Sequence, residues 1–532
     1  MSKLYKSSWK WLCLFVFLGL AISCKEEEDV VPQPSSVKIV LPENSSAFFP
    51  GEEINFVGDA LNAQSFSWTA NGEEFSKEKY ATHTFDEVGN YDIVFSANSA
   101  SGTQTVSTKI EIVNGVKVNG FGVSGEIFAG EQLSLTAELQ DRYLDDYQWA
   151  LNGEPVAEGM TFEKIFAKPG THTLTFTASN ATRSSTYELT LKVEARFLFT
   201  DGAFIVNEGN MSNEMGTVSF LPQDGALITN AYRQVNPGRT LGNVTQSIGF
   251  YADKAYFISQ NGPNYITVAD AGTLVAVDSV TETQVSLSWP THIAVVDEQK
   301  GYIRDNNGVH IVNFAEHTLS GTVEGVSAAK DQMYIVNDKL ITYSGKTLYI
   351  TNTSTDVLED QKVFEENIGT VTLDKYGHIW VAVSGSPSKM VQLSAVDFSI
   401  LQQIEMPQDI SLSSGFVPVG VQVSHSENAF FIQPNMAWGT PQKVYKVNYG
   451  ETVSSSLLFD MANWDDDEAG ISYGTIGLDP ISNEVYITTI KGYAEYQTNA
   501  LFVVDGTAGT RTKYSGVGSF PAQISFADSS DW

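Results

Sequence analysis

Few residues in the chain have the types and spacing that catalysis requires. The segment Gly470–Gly474 has the sequence Gly-Ile-Ser-Tyr-Gly and matches G-x-S-x-G, the pattern in which a serine is the nucleophile of acyl transfer. That chemistry needs a strand-turn-helix elbow, whereas this segment lies between two predicted strands, so we interpret the match as chance. Gly120, Gly122 and Gly125 match the dinucleotide-binding pattern G-x-G-x-x-G, but no helical pattern follows them. We predict that the protein is not an enzyme.

The sequence motifs for metal binding are as weak as those for catalysis. The 7 histidines are scattered, and both cysteines fall within the first 24 residues, which excludes a cysteine-based metal site or a disulfide framework from the folded part. The run Asp465–Glu468 offers carboxylates that calcium could accept, but it lacks the regular Asp-x-Asp-x-Asp-Gly spacing. A solvated acidic loop is the favoured interpretation, and we predict no metal and no cofactor.

Amides and aromatics in predicted loops are better candidates for chemistry, and that chemistry is binding. They can stack on a flat ligand and hydrogen-bond to it without activating a nucleophile. Ordinary turns would look similar, because Asn and Gly are favoured there, but we favour a specific ligand. The candidate ligand-binding residues are Asn207, Glu208, Asn210, Gln246, Gln260, Asn261, Trp289, His292, Asp305, Asn306, Gln433, Trp438, Tyr473, Tyr493 and Tyr496.

The elements that position these residues belong to a repeating pattern over residues 197–532. An alternating apolar strand is followed by a polar turn and an aromatic-rich strand, which indicates a seven-bladed β-propeller of four short strands per blade. Because the last repeat ends after one strand, residues 199–235 are predicted to complete its blade by pairing the two termini. Loops before inner strands and after second strands share one face, where the candidates lie. The repeats centre on Ile248, Ile293, Val326, Val371, Val421, Ile476 and Ile524.

Two segments before the propeller repeat each other. Trp68 and Trp149 occupy equivalent positions, and each is followed by an Asn-Gly pair of the kind that hairpin turns favour. Alternating strands around one tryptophan predict two small β-sandwiches, over 37–113 and 115–195. The segment Ser65–Gly102, with its HTFDEVGNYDIVFSANSASG run, resembles PKD domains, although Thr69-Ala70-Asn71-Gly72 replaces the usual Asp-Phe-Gly-Asp-Gly. We interpret the pair mainly as structural spacers.

The N-terminus has the pattern of an export signal. Three lysines precede the apolar stretch Trp11–Ile22, which is too short to span a bilayer but suits a signal peptide over residues 1–23. Small residues before Cys24 resemble a bacterial lipobox, so Cys24 is the predicted lipidation site. Residues 24–36 then form an acidic tether, which resembles the export tag of Bacteroidetes surface lipoproteins. We expect a lipid-anchored protein on the outer-membrane surface.

The net charge of the chain limits the classes of partner that it can bind. Lys and Arg number 31 against 63 Asp and Glu, giving a formal net charge of −32. Nucleic acid is therefore excluded as a partner, because phosphate contacts need clustered basic residues.

The segments Val206–Asn210 and Leu241–Ile248 carry a family resemblance. They are similar to the YncE-type propellers of Bacteroidetes surface lipoproteins and, within them, to the BtuG family. That resemblance, over 199–532, implies capture of a corrinoid (cobalamin-type) ligand and its transfer to a TonB-dependent outer-membrane transporter. A glycan-binding or adhesive surface protein, using the same aromatics on sugar rings, is the alternative.

Overall fold

The computed structural model describes residues 32–42, 45–120, 127–414, 418–434 and 442–527. Over these ranges the chain is nearly all β-strand, interrupted by the short helix α1 (Ala231–Val235) and a 3-10 turn at Met461–Asn463, and the predicted all-β class is confirmed. The predicted signal peptide and Cys24 lie outside the described residues. None of the helices in the described ranges is long and apolar enough to cross a membrane.

Residues 35–112 form the first sandwich, whose two sheets have the strand orders β1-β3-β6 and β2-β8-β7-β4-β5. Its core surrounds Trp68, which is fully buried and donates its indole N–H to the carbonyl oxygen of Glu78 at 3.0 Å. The strands are β1 (Ser35–Val40), β2 (Ala47–Phe48), β3 (Ile54–Leu61), β4 (Ser65–Ala70), β5 (Glu73–Ser76), β6 (Tyr80–His83), β7 (Gly89–Ser99) and β8 (Gly102–Ile112).

Residues 116–194 form a second sandwich with the same topology, in the orders β14-β11-β9 and β10-β16-β15-β12-β13. Trp149 takes the place of Trp68 and donates to the carbonyl oxygen of Gly159 at 3.1 Å, so the two segments repeat each other in hydrogen bonding as well as in sequence. The strands are β9 (Val116–Gly120), β10 (Ile127–Phe128), β11 (Gln132–Leu139), β12 (Asp146–Leu151), β13 (Glu154–Glu158), β14 (Thr161–Ile165), β15 (Gly170–Ser179) and β16 (Ser184–Glu194).

The remaining described strands form seven sheets, which are the blades of a propeller. We number them so that blade 1 contains the chain's last described strand. Blade 1 comprises β17 (Gly202–Asn207), β18 (Thr217–Pro222) and β44 (Pro521–Ala527); blade 2 comprises β19 (Asn243–Tyr251), β20 (Lys254–Asn261), β21 (Asn264–Asp270) and β22 (Ala276–Thr281); and blade 3 comprises β23 (His292–Val295), β24 (Lys300–Asp305), β25 (Gly308–Asn313) and β26 (Thr318–Thr322).

Blades 4 to 7 continue in chain order. Blade 4 comprises β27 (Tyr334–Val336), β28 (Lys339–Ser344), β29 (Thr347–Asn352) and β30 (Val357–Val363); blade 5 comprises β31 (Ile368–Leu373), β32 (Ile379–Val383), β33 (Lys389–Leu393) and β34 (Ile400–Glu405); blade 6 comprises β35 (Gly420–Val423), β36 (Ala429–Gln433), β37 (Lys443–Asn448) and β38 (Ser454–Asp460); and blade 7 comprises β39 (Ile471–Ser472), β40 (Gly477–Leu478), β41 (Val485–Ile490), β42 (Asn499–Val504) and β43 (Arg511–Ser515).

The two ends of the propeller segment close the ring as the sequence predicts. β44 is the inner strand of blade 1 and pairs antiparallel with β17, with Ile524 opposite Ile205. The register of blade 4 differs from the prediction. Its inner strand is β27, whereas the sequence pattern placed Val326 in an inner strand and Tyr334 in a second one. Val326 is buried in the preceding loop at 7% exposure, which is why it resembles a strand position.

The second sandwich docks on the face of the propeller that we call the bottom face. This face carries the turns between inner and second strands; the top face carries the loops before inner strands and after second strands. Lys168 pairs with Asp253 in the β19–β20 turn, and the Thr273 hydroxyl in the β21–β22 turn donates to the carbonyl oxygen of Ala167 at 2.6 Å. Val275 packs into the core of the sandwich.

The contact is close enough to require a glycine. Gly130 of the sandwich has φ of +88°, and a Cβ there would lie 2.4 Å from the carbonyl oxygen of Val235. Any larger residue would therefore separate the two domains. The second sandwich therefore lies on the side of the propeller opposite the top face.

We expect Val275→Asp to weaken this joint strongly, because it places a carboxylate in an apolar contact that is 1% exposed. The cost is about 3 kcal/mol or more. Urea unfolding and protease cleavage between residues 195 and 201 measure the change. Val277→Asp is the matched control, since Val277 is 46% exposed and its substitution costs about 0.5 kcal/mol or less. Equal effects of the two substitutions would contradict the docking.

Candidate ligand-binding site

The inner strands surround a central tunnel, whose cavity has a volume of about 570 Å³. Every blade contributes to its wall, because each inner strand runs from the top face toward the bottom face along the ring axis. One lining residue from each of blades 1 to 7 is, in order, Ser525, Ile248, His292, Tyr334, Val371, Val421 and Thr475. The wall of the tunnel combines polar side chains such as Gln246 and Gln422 with aromatic ones such as Tyr334 and Tyr473.

Glu208 lies at the top of the tunnel, directly after β17, and both of its carboxylate oxygens accept hydrogen bonds. Gln246 Nε2 donates to Oε1 at 2.6 Å, and the Tyr473 hydroxyl donates to Oε2 at 2.8 Å. These bonds join blades 1, 2 and 7. His292 from blade 3 and Lys330 from the loop before blade 4 line the same cavity. We call these five residues the neck cluster.

Opposite charges face each other within the neck cluster. Burial raises the pKa of the Glu208 carboxyl, whereas the ammonium of Lys330 and the two hydrogen bonds lower it. Burial likewise lowers the pKa of Lys330, and Glu208 raises it. Because blades 1 and 4 are not neighbours in the ring, this interaction acts across the tunnel. The neck is therefore a dipolar slot, with an acidic wall and a basic wall.

His292 adds a neutral polar group to the basic side of the neck. Burial, with smaller contributions from Lys330 and Arg304, lowers the pKa of its imidazole to about 3, so the ring is uncharged at neutral pH. Its Nδ1 atom is buried and has no hydrogen-bond partner among the described residues. Such an atom costs about 1–3 kcal/mol unless a further group pairs with it.

Asp331 lies beside Lys330 and is held by side chains of blades 4 and 5. The hydroxyls of Tyr343 and Thr370 donate to its Oδ2 at 2.7 and 2.8 Å. Burial nevertheless raises the pKa of this carboxyl to about 6, because two neutral donors offset the loss of hydration only in part. Asp331 therefore gains a proton near neutral pH.

Two exposed aromatic rings belong to top-face loops: Tyr493 lines the tunnel cavity, and Trp289 lies in the loop before the inner strand of blade 3. Trp289 is 42% exposed and Tyr493 is 49% exposed. Trp289 also has φ of +55°, a left-handed conformation that costs a bulky residue about 1–3 kcal/mol and that clusters at functional sites. We call Trp289 and Tyr493 the aromatic rim. Both can stack on a flat ligand that covers the mouth.

Five of the predicted residues, Glu208, Gln246, His292, Tyr473 and Tyr493, come together at the cavity. Two more lie just behind it and support it. Asn210 Nδ2 donates to the Tyr496 hydroxyl at 2.8 Å, and Tyr496 stacks on Phe520 with ring centroids 4.3 Å apart. Phe520 in turn packs against Tyr473 at 5.1 Å.

Two predicted residues on second strands are buried in the scaffold rather than at the surface. Asn207 is 0% exposed, and its Nδ2 donates to the carbonyl oxygen of Val517 at 3.0 Å. This bond links β17 to the segment just before β44 and so stabilises blade 1. Gln433 is also 0% exposed, and its Nε2 donates to the Ser472 hydroxyl at 2.8 Å. Their amides satisfy interior groups, so neither can contact a ligand at the mouth without rearrangement.

The other predicted residues lie farther out. Asp305 is 2% exposed and holds its own turn, accepting from the backbone N–H of Asn307 at 2.7 Å and of Ser288 at 2.8 Å. Gln260 lies near the end of strand β20 and is buried at 7% exposure, and Asn306 is exposed on a top-face turn; neither lines the cavity. Asn261 Nδ2 donates to Asn243 Oδ1 at 3.5 Å. Trp438 lies outside the described residues.

Sequence reasoning missed Lys330, Asp331 and Gln332, which line the cavity. The wrong register of blade 4 caused the omission, because it put these three residues in a bottom-face turn. Requiring a more even spacing between the repeats would have placed the inner strand of blade 4 at Tyr334 and identified these residues. With the inner strand at Tyr334, the polar run falls before an inner strand and so on the top face.

Two of the four carboxylates in the acidic run Asp465–Glu468 pair with one lysine of blade 7. Lys513 Nζ lies 2.8 Å from Asp466 and 2.6 Å from Glu468. Across the residues that the structure describes, no three His, Cys, Asp or Glu side chains are arranged to hold a metal ion. The run therefore belongs to the scaffold of the propeller.

A closed ring of seven sheets with a tunnel mouth at one end defines a β-propeller, here preceded by PKD-type sandwich structure. A model of the PKD domain matches residues 120–193, which lie in the second sandwich. The model of a domain of unknown function, DUF5074, matches residues 201–527, so the chain belongs to that family. No curated protein matches the chain.

Solved structures with similar folds come from several bacteria. A quinonprotein alcohol dehydrogenase-like protein from Bacteroides thetaiotaomicron is 17% identical, with a TM-score of 0.47 over 77% of this chain and 99% of its own. A functionally unknown protein from Desulfotomaculum acetoxidans is 13% identical, with a TM-score of 0.42 over 62% of this chain and 99% of its own. Hydrazine synthase of Kuenenia stuttgartiensis is 14% identical, with a TM-score of 0.36 over 48% of this chain and 75% of its own.

The raised pKa of Asp331, about 6, predicts a pH dependence of stability. A carboxyl whose folded pKa exceeds its unfolded value binds its proton more tightly in the folded state. The folded state therefore loses stability as pH rises from the unfolded pKa to the folded pKa. Between about pH 4.5 and 7.5 the loss from this group is about 2 kcal/mol. Asp331→Asn should remove that difference, measured as urea unfolding free energies of both proteins at both pH values. A pH dependence identical to that of the wild type would contradict the assignment.

Proposed function

We propose that the aromatic rim and the neck cluster bind a corrinoid, and that the protein is a non-catalytic receptor. The observation that carries this proposal is the composition of the tunnel mouth. Tyr493 offers an exposed ring in the cavity wall and Trp289 offers another on a top-face loop, while Glu208, Lys330 and His292 offer polar groups in the same wall. A flat ligand with a hydrogen-bonding periphery uses both kinds of contact.

Size supports a ligand that lies over the mouth rather than inside the tunnel. The cavity of about 570 Å³ has room for a side chain of the ligand. A corrin macrocycle with its substituents occupies a larger volume than this cavity. The ring would therefore rest on the aromatic rim, and one of its substituents would enter the neck.

The placement of the sandwiches fits a surface receptor. The second sandwich contacts the bottom face through Lys168, Asp253 and Val275, so the mouth is directed away from the N-terminal part of the chain. With Cys24 lipidated, the membrane anchor would be at that N-terminal end. We propose that the mouth captures the ligand outside the cell and passes it to a TonB-dependent outer-membrane transporter.

The side chains at the mouth favour binding over catalysis. Ser472, in the G-x-S-x-G match, is buried at 9% exposure, and its hydroxyl accepts a hydrogen bond from Gln433 rather than donating to a histidine base. Both oxygens of Glu208 accept hydrogen bonds from the protein. This arrangement suits a fixed acceptor better than a general base.

Glycan binding is the second candidate, and the exposure of Trp289 and Tyr493 favours it. Exposed aromatic rings also stack on sugars. The distinguishing feature is the neck cluster, because buried opposite charges are not needed to bind a neutral sugar ring on a flat surface.

We expect the soluble chain that begins after Cys24 to bind cyanocobalamin and cobinamide tightly and saturably in calorimetric titration. Trp289→Ala and Tyr493→Ala should each weaken binding about tenfold or more, since each removes a large stacking surface, worth about 1.4 kcal/mol or more. Tyr376→Ala is the matched control, because Tyr376 is 70% exposed in a bottom-face turn and should have no effect.

Both sandwiches are kept in this experiment because the second one packs on the propeller. A flat titration of the wild-type chain would overturn corrinoid binding and direct the same protein to a glycan array. Wild-type affinity in both rim variants would show that the site lies elsewhere.

A further inference from the structure

The neck cluster has a charge arrangement that restricts what can enter it. Glu208 projects from blade 1 and Lys330 from the loop before blade 4, and both line the wall of the same cavity from blades that are not neighbours in the ring. The charge of each residue also acts on the pKa of the other. Arg304 adds to the positive side, because its charge lowers the pKa of both Lys330 and His292, and its Nε donates to the carbonyl oxygen of Ala328 at 3.2 Å. The neck therefore holds one negative and one positive wall, within a chain whose net charge is −32.

An ion of either sign fits this arrangement poorly. A carboxylate or phosphate on the ligand would be attracted by Lys330 but repelled by Glu208. An ammonium group would be attracted by Glu208 but repelled by Lys330. Since both walls are desolvated, repulsion there is stronger than in water. A neutral group that carries a donor at one end and an acceptor at the other avoids both penalties.

The hydrogen-bonding capacity of the cluster matches such a group. A carboxylate offers about four lone-pair positions, and Glu208 uses two of them for Gln246 and Tyr473. The remaining capacity accepts an incoming N–H group. Lys330 supplies N–H donors on the opposite wall. The Nδ1 atom of His292, buried without a partner among the described residues, is a further polar atom beside the same cavity.

We propose that the neck cluster is a carboxamide subsite, in which a primary amide of the ligand donates to Glu208 and accepts from Lys330. This inference rests on the proposed function, because carboxamide side chains surround the corrin ring. It goes beyond that function by assigning the recognition of those side chains to one charge pair. Glu208 and Lys330 then distinguish an amide from the corresponding acid.

The test compares cyanocobalamin with its monocarboxylic acid derivatives, in each of which one propionamide is hydrolysed to a carboxylate. The wild-type chain should bind the parent compound about tenfold or more tightly than at least one derivative, the value of one charge-assisted hydrogen bond. In Glu208→Gln the preference against that derivative should disappear or reverse, because the repelling charge is gone. Lys330→Met should weaken binding of the parent, and should weaken binding of the derivative at least as much, because the carboxylate also loses an attracting charge.

Glu359→Gln is the matched control. Glu359 is on the outer strand β30 and pairs with Lys339, so the same isosteric change there should leave the preference unaltered. The ratio of affinities within one variant is independent of how much of that protein is folded, because the titration also gives the active fraction.

Three results would count against the subsite, and they differ from one another. Equal affinity of the wild type for the parent and for all its derivatives overturns the subsite while corrinoid binding stands. An undiminished preference in Glu208→Gln overturns the role of that residue and therefore the subsite. Absence of any corrinoid binding by the wild type overturns the proposed function, and the carboxamide subsite falls with it.

Discussion

The antiparallel pairing of β17 with β44 closes the propeller, and the mouth of the tunnel depends on it. Blade 1 takes its inner strand from the end of the chain and its next two strands from the start of the propeller segment. The pairing removes the open edge that an unclosed row of sheets would present. Two side chains reinforce it, since Asn207 donates to the carbonyl oxygen of Val517 and Gln523 accepts from the backbone N–H of Ile248 at 2.8 Å.

Closure brings together residues that are far apart in the sequence. The hydrogen bond between Tyr473 and Glu208 joins residues separated by 265 positions. Lys330 reaches the same cavity from a third place in the chain. The motifs in which Glu208 and Tyr473 stand do not show that the two residues meet, and only the closed ring makes these residues a cluster. A local change that opened the ring would therefore disperse the neck without altering any of its residues.

The sequence predicted the elements of the fold more fully than the site because the two depend on different kinds of information. Strand alternation, Asn-Gly turns and the tryptophan repeat are local patterns, and they correctly indicated the paired sandwiches and the closing blade. The direction of a loop side chain is not local. Asn207 and Glu208 are adjacent and both polar, yet Asn207 is fully buried at the end of β17 and Glu208 accepts hydrogen bonds at the tunnel. A register shift between Val206 and Asn207 in the β17–β44 pairing accompanies that difference.

Stability alone does not account for the neck. An apolar tunnel lining would leave no carboxyl with a raised pKa, no desolvated ammonium and no unpartnered imidazole nitrogen. Each of these features costs free energy in the folded protein, and replacing buried charge pairs by apolar residues is often neutral or stabilising. Trp289 adds a further cost through its left-handed backbone. Such costs are tolerated because the closed ring and the packed sandwiches supply stability elsewhere. A ligand that satisfies the opposed charges and covers the exposed rings would recover part of that free energy on binding, which is the physical reason to place recognition at this mouth.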